Sequence, residues 1–226
     1  MMTNLFSIFD PNVNMILDLN WSSIYLNFLM IPLNYWILSS RLIKMFKIII
    51  MMIMNEFKII LNNKFNNMNN IFFTNLFIFI LMNNFMGLFP YIFTSSSHLI
   101  FSLSISIPYW LSLMIFIWLK NTNFAFSHLI PQSTPLILMP FMVIIESISN
   151  MIRPFTLSIR LTANMIAGHL LLTLLSETIS TSSIFMKMLI INLQIFLLLL
   201  EFSVSIIQAY VFSILSTLYI KETNYE

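Results

Sequence analysis

Five polar side chains interrupt an otherwise apolar stretch. Residues 145–172, IESISNMIRPFTLSIRLTANMIAGHLLL, carry Glu146, Arg153, Arg160, Asn164 and His169. A charge near the centre of a bilayer costs about 2.5–3.5 kcal/mol even on insertion scales, so such groups face a protein interior or an ion path. The types matter as much as the spacing. Arginine keeps its charge when desolvated, and histidine titrates in the range where a proton relay works. At 3.6 residues per turn, positions seven and fourteen apart lie nearly above one another. Glu146, Arg153 and Arg160 follow that spacing, and Asn164 sits one turn beyond Arg160 on the same side. His169 comes nine residues after Arg160 and on a straight helix points to roughly the opposite side. Gly168 beside it removes a side chain and lets another helix approach closely.

A second polar stripe lies near the C-terminus. In LEFSVSIIQAYVFSILSTLYI, residues 200–220, Glu201, Ser205 and Gln208 are spaced i, i+4, i+7 on one helical face. Glu222 lies two sevens beyond Gln208, on a similar face if the helix continues. Two polar stripes in apolar helices can build a wet path inside a bilayer. Other chemistry has little support. There is no Cys, which excludes disulfides and thiolate metal sites. His98 and His128 lie in links without a ligand-spaced partner, and no HExxH, Ser-His or Asp-Asp arrangement is present, so neither a metal site nor an intramembrane enzyme is expected. An antiporter-type subunit would show repeated halves with broken helices, and no repeat is found. For each polar residue a bland role stays open: an ion pair for Arg160 and Glu146, packing for His169, helix bridging for Gln208.

The elements that position these groups must be membrane helices. Of the 226 residues 59% are hydrophobic and only 8% charged, with mean hydropathy +0.91. Soluble domains carry about 25% charged residues. The expected fold class is therefore all-α: a polytopic membrane protein forming a single integral membrane domain over 1–226. Vertical spans are expected at about 21–38, 71–93 and 99–119. The segment 41–64, with Arg41, Lys44, Lys47, Lys58 and Lys64 around a short apolar run, reads as an interfacial amphipathic helix. Residues 120–134 read as a polar link. Two long helical patterns follow at 135–178 and 183–220. At about 1.5 Å per residue they are roughly 65 and 57 Å long, against a hydrocarbon core of about 30 Å. They form a hairpin that must tilt strongly, bend, or run partly outside the core, with Pro154 as a place for a bend. The serines of 99–119 are expected to bond their own backbone.

The net charge of +2 leaves no support for a nucleic-acid partner. The excess of Ile, Leu, Phe, Met and Asn points to an A/T-rich organellar gene. No basic residue precedes Arg41, which speaks against a transit or signal peptide and for synthesis in the compartment of use. If the spans alternate, the basic residues fall on one side with Lys187 as the exception. The N-terminus is then outside and the C-terminus inside.

IRLTANMIAGHLLL (159–172) and LEFSVSIIQAYVFSIL (200–215) resemble the two signature helices of the subunit a family of F-type rotary ATP synthases, and NLFSIFDP (4–11) resembles its mitochondrial members. The two motifs cover the last third closely, and the pattern of spans covers the rest. The resemblance implies a non-catalytic, proton-translocating stator subunit of the mitochondrial inner membrane, without a cofactor. Its implied partners are a ring of subunit c, the peripheral stalk, other membrane-sector subunits and lipid. Two aqueous half-channels would be separated by Arg160, which matches the family's essential arginine. His169 and Glu201 match the pair lining the outer half-channel, Glu146 and Glu222 match acidic positions of the inner one, and Asn164 and Gln208 match polar neighbours of the arginine. Arg153 departs from the family, where many members have a neutral polar residue. Its expected partner is Glu146, seven residues away, or a lipid phosphate.

Overall fold

The computed structural model describes residues 5–12, 19–32, 38–61, 67–120, 122–130, 135 and 137–223. Among the described residues the chain is mostly helical, with seven α-helices: α1 (Ser23–Met30), α2 (Arg41–Leu61), α3 (Asn67–Gly87), α4 (Leu99–Lys120), α5 (Thr122–His128), α6 (Met139–Thr181) and α7 (Ile184–Thr223). Among the described residues, α3, α4, α6 and α7 are long and apolar enough to cross a membrane.

The N-terminal part differs from the expected span at 21–38. A short 3-10 turn, Leu19–Ser22, leads into α1, which has 8 residues and a length of about 12 Å. It ends where Ile31 turns extended (φ −74°, ψ 117°), because Pro32 disfavours helix for the residue before it. Residues 33–37, with the expected aromatics Tyr35 and Trp36, lie outside the described residues. Trp21 packs on Phe93 and His98, with ring centroids 5.7 and 5.3 Å away.

Helix α2 begins at Ser40, whose Oγ accepts from the Ile43 amide at 3.4 Å, an N-cap that satisfies an otherwise unpaired donor. Arg41, Lys44, Lys47 and Lys58 are exposed along it, while Phe57 and Leu61 are buried. Lys64, the last basic residue expected in this segment, lies outside the described residues. Helix α3 stops at Gly87, six residues short of the expected 93. Pro90 cannot continue a helix, and the chain turns through Tyr91 in the left-handed region (φ 69°). The buried 3-10 turn Ser95–Ser97 then leads into α4, which follows its expected span closely. The expected polar link contains α5.

The long hairpin is tighter than expected. Only Ser182 and Ser183 separate α6 from α7, and the Ser183 carbonyl accepts from the Lys187 amide at 2.9 Å to start α7. With 43 and 40 residues the helices are about 64 and 60 Å long, and α6 stays helical through the buried Pro154. The core joins α2, α3, α6 and α7 around Phe57, Phe73, Ile80, Leu161, Ala209 and Phe212. Outward faces of α6 and α7 carry exposed Ile, Leu, Phe and Met, the surface a lipid or protein environment must cover. Hydroxyls inside the helices bond mostly carbonyls three residues back, as Ser102 does to Leu99 and Ser104 to Phe101.

Candidate functional site

The close approach of α6 and α7 centres on Gly168. A methyl group built there would lie 2.7 Å from Glu201 Oε1 and 2.9 Å from Cδ. Glycine is thus the residue that lets the Glu201 carboxylate reach the α6 backbone. One turn on Ser205 is 1% exposed, and a turn further Ala209 is fully buried, so the inner edge of α7 carries small side chains where it meets its neighbours. The Ser205 hydroxyl is spent on the Phe202 carbonyl at 2.7 Å.

Around this contact lies a cleft of about 300 Å³. Asn164, Gly168 and His169 line it from α6, Glu201 and Gln208 from α7, with Leu88 and several aliphatic residues closing the rest. Among the described residues, His169 Nε2 and both Glu201 oxygens are buried without a protein hydrogen-bond partner. The first 3-10 turn, Leu5–Phe9, brings the Phe9 ring edge-on to His169, centroids 6.5 Å apart. A carboxylate and an imidazole thus share a small, mostly apolar cavity with two amides. Both groups are of a type that can take up and release a proton.

Arg160 stands apart from this cleft. It is exposed, does not line the cavity, and has no ion-pair partner among the described residues. Its neighbours Leu157, Ser158, Leu161 and Thr162 are buried against the bundle, which turns Arg160 to the opposite, outward face of α6. The separation between Arg160 and His169 follows from the helix period, with Asn164 at the rim between them.

Glu146 and Arg153 form a salt bridge at 3.6 Å, each about 30% exposed. The Arg153 guanidinium also lies over the Tyr219 ring, 5.2 Å from its centroid, linking α6 to the end of α7. Glu222 lies in the last turn of α7, and its side chain is outside the described residues. Tyr210 points away from the polar stripe and donates to Glu56 Oε2 at 3.1 Å, tying α7 to α2.

One polar cluster was not singled out in the sequence. Asn27 Nδ2 on α1 donates to Asn83 Oδ1 on α3 at 2.5 Å, and Ser95 Oγ donates to the same oxygen at 3.4 Å. Next to Asn83, Asn84 is fully buried, and neither of its side-chain atoms meets a protein partner among the described residues; the same holds for Ser96 Oγ. The signal was the Asn83-Asn84 pair inside an apolar helix. Reading the abundance of Asn as codon composition hid it.

Long apolar helices, two of them packed at a glycine with ionisable side chains in a cleft between them, define the class: an integral membrane protein. Residues 16–221 match the ATP synthase A chain family. The chain is 54% identical over 224 residues to ATP synthase subunit a of Drosophila simulans, covering 99% of this chain and 100% of the relative. It is 54% identical to the Drosophila melanogaster protein over the same length and coverage, and 52% identical over 227 residues to that of Anopheles quadrimaculatus. The chain belongs to the ATP synthase A chain family, the proton-translocating stator subunits of the enzyme's membrane sector.

Proposed function

We propose that the protein carries protons through two aqueous half-channels that meet a rotating ring of subunit c on either side of Arg160. The observation that carries this reading is the division of α6 into two faces. Glu201 and His169 share a cleft with Gln208 and Asn164, while Arg160 faces outward with no carboxylate partner among the described residues. A permanently charged guanidinium in a bilayer costs free energy unless a partner approaches it. A ring carboxylate is such a partner. Arg160 favours its ionised form and so promotes proton release, and it repels a proton crossing directly between half-channels. The Glu201–His169 cleft serves the outer half-channel. Glu146 and Glu222, near the far ends of α6 and α7, serve the inner one, with Glu146 held by Arg153.

The subunit is non-catalytic, works in the mitochondrial inner membrane with the ring, the peripheral stalk and lipid, and has its N-terminus towards the intermembrane space and its C-terminus in the matrix. The basic residues Arg41, Lys44, Lys47, Lys58, Lys120 and Lys221 support that orientation. The two long helices tilt to stay within the membrane.

The test is passive proton flux and ATP synthesis in membranes holding the assembled complex, wild type against Arg160→Ala. Each proton crossing 100 mV releases about 2.3 kcal/mol, so a breach of the barrier uncouples the enzyme. Synthesis is expected to collapse while downhill leak persists or rises. An assembled variant that makes ATP at the normal rate would show that Arg160 is not the barrier.

A further inference from the structure

A second cavity lies on the other side of the bundle. It is a groove of about 670 Å³ between α3, α4 and the end of α7, walled by Phe72, Leu76, Ile105, Leu113, Phe116 and Ile220. Its polar groups on α4 are turned to the backbone. Tyr109 donates to the Ser216 carbonyl at 2.5 Å and Ser112 to the Tyr109 carbonyl at 2.6 Å. Apart from Asn69 on α3, the wall they leave is apolar, which suits a hydrocarbon chain better than water.

The groove has a charged mouth at one end. Lys120 Nζ lies 5.0 Å from the centroid of the Phe116 ring, itself part of the wall. Lys221, exposed, directly follows Ile220 of the wall. From Ile105 to Phe116 the groove runs about 16 Å along α4. That is about half of the roughly 30 Å hydrocarbon core, the depth of one leaflet.

We propose that this groove is a binding site for an anionic phospholipid, with an acyl chain along α4 between residues 105 and 116 and the phosphate at Lys120 and Lys221. The charge decides between occupants. Juxtamembrane lysines attract anionic headgroups, and the Lys120 ammonium over the wall ring Phe116, with Lys221 next in the chain to the wall residue Ile220, gives an apolar, leaflet-deep groove the positive end that matches such a lipid. A neutral lipid or a neighbouring apolar helix would fill the groove without using the lysines.

The test uses the assembled complex in vesicles doped with photoactivatable phosphatidylglycerol or phosphatidylcholine, each with the reactive group at the acyl-chain end. Cross-linked peptides are then mapped. Phosphatidylglycerol is expected to label 105–116 several-fold more than phosphatidylcholine. Lys120→Gln with Lys221→Gln should remove the preference, and either substitution alone should reduce it. Leu113→Trp, which fills the groove, should abolish labelling there while labelling elsewhere is unchanged. If Leu113→Trp does not assemble, the lysine variants decide alone. Equal labelling by the two lipids, or a preference that survives loss of both lysines, would overturn the proposal in favour of ordinary bulk lipid. Absence of groove labelling by either, with chemical cross-links from the groove to another subunit, would overturn it in favour of a protein helix.

Discussion

Gly168 on α6 and Glu201 on α7 are in a contact that only glycine permits, since a Cβ at position 168 would stand 2.7 Å from the carboxylate. The glycine therefore does more than let two helices approach. It sets where a buried acid sits between them.

Gly168→Ala is expected to assemble, because the obstructing atoms belong to the end of a flexible side chain that can rotate away. Glu201 then leaves its place in the cleft it shares with His169. Displacing a reacting group by 1 Å can cost on the order of 10²-fold in rate, so coupled ATP synthesis should fall about tenfold or more with complex content unchanged. Gly168→Val should impair assembly as well. Normal synthesis by an assembled Gly168→Ala complex would show that the position of Glu201 is not critical. Blue-native gels and synthesis rates on the same membranes make the comparison.

Glu146 and Arg153 are partly exposed, so their pairing contributes little to stability. Measured by a double-mutant cycle with Glu146→Gln and Arg153→Gln, the coupling in thermal unfolding of the complex should be about 1 kcal/mol or less. Because Glu146 is paired with Arg153, Glu146→Gln should lower synthesis only a few-fold, far less than Arg160→Ala. A loss as deep as that of Arg160→Ala would make Glu146 an indispensable step in the path.

Asn84 offers a contrast between packing and proton conduction. It is fully buried and has no protein partner for its amide among the described residues. Replacing an unsatisfied polar group by an apolar one of similar size is close to neutral or stabilising. Asn84→Leu should therefore leave assembly and thermal stability unchanged or slightly raised. If the amide lines a wet passage, proton flux and synthesis should fall several-fold nonetheless. Unchanged flux would confine Asn84 to packing.

Much of this protein was legible in its sequence because the bilayer imposes strong rules. A scarcity of charge over the whole chain required membrane helices, and α4, α6 and α7 follow the spans that hydropathy drew. The helix period alone separated Arg160 from His169, since both sit on one uninterrupted helix. The boundaries that were misjudged are local. Residues 88–93 are apolar enough to continue α3, but Gly87 and Pro90 end it; the expected span at 21–38 has only α1 among its described residues, because Pro32 forces Ile31 out of helical geometry.

What the sequence determined by itself is the identity and one-dimensional spacing of the polar groups. Composition and period fix those, because each helix satisfies its own backbone. What only the tertiary structure decided is which groups meet. Glu201 reaches His169's cleft because Gly168 removes a Cβ, Asn27 finds Asn83 across more than fifty residues, and Tyr109 on α4 reaches the Ser216 carbonyl on α7. Such meetings depend on packing between helices distant in the chain, and no periodicity within a single helix encodes its neighbour's register.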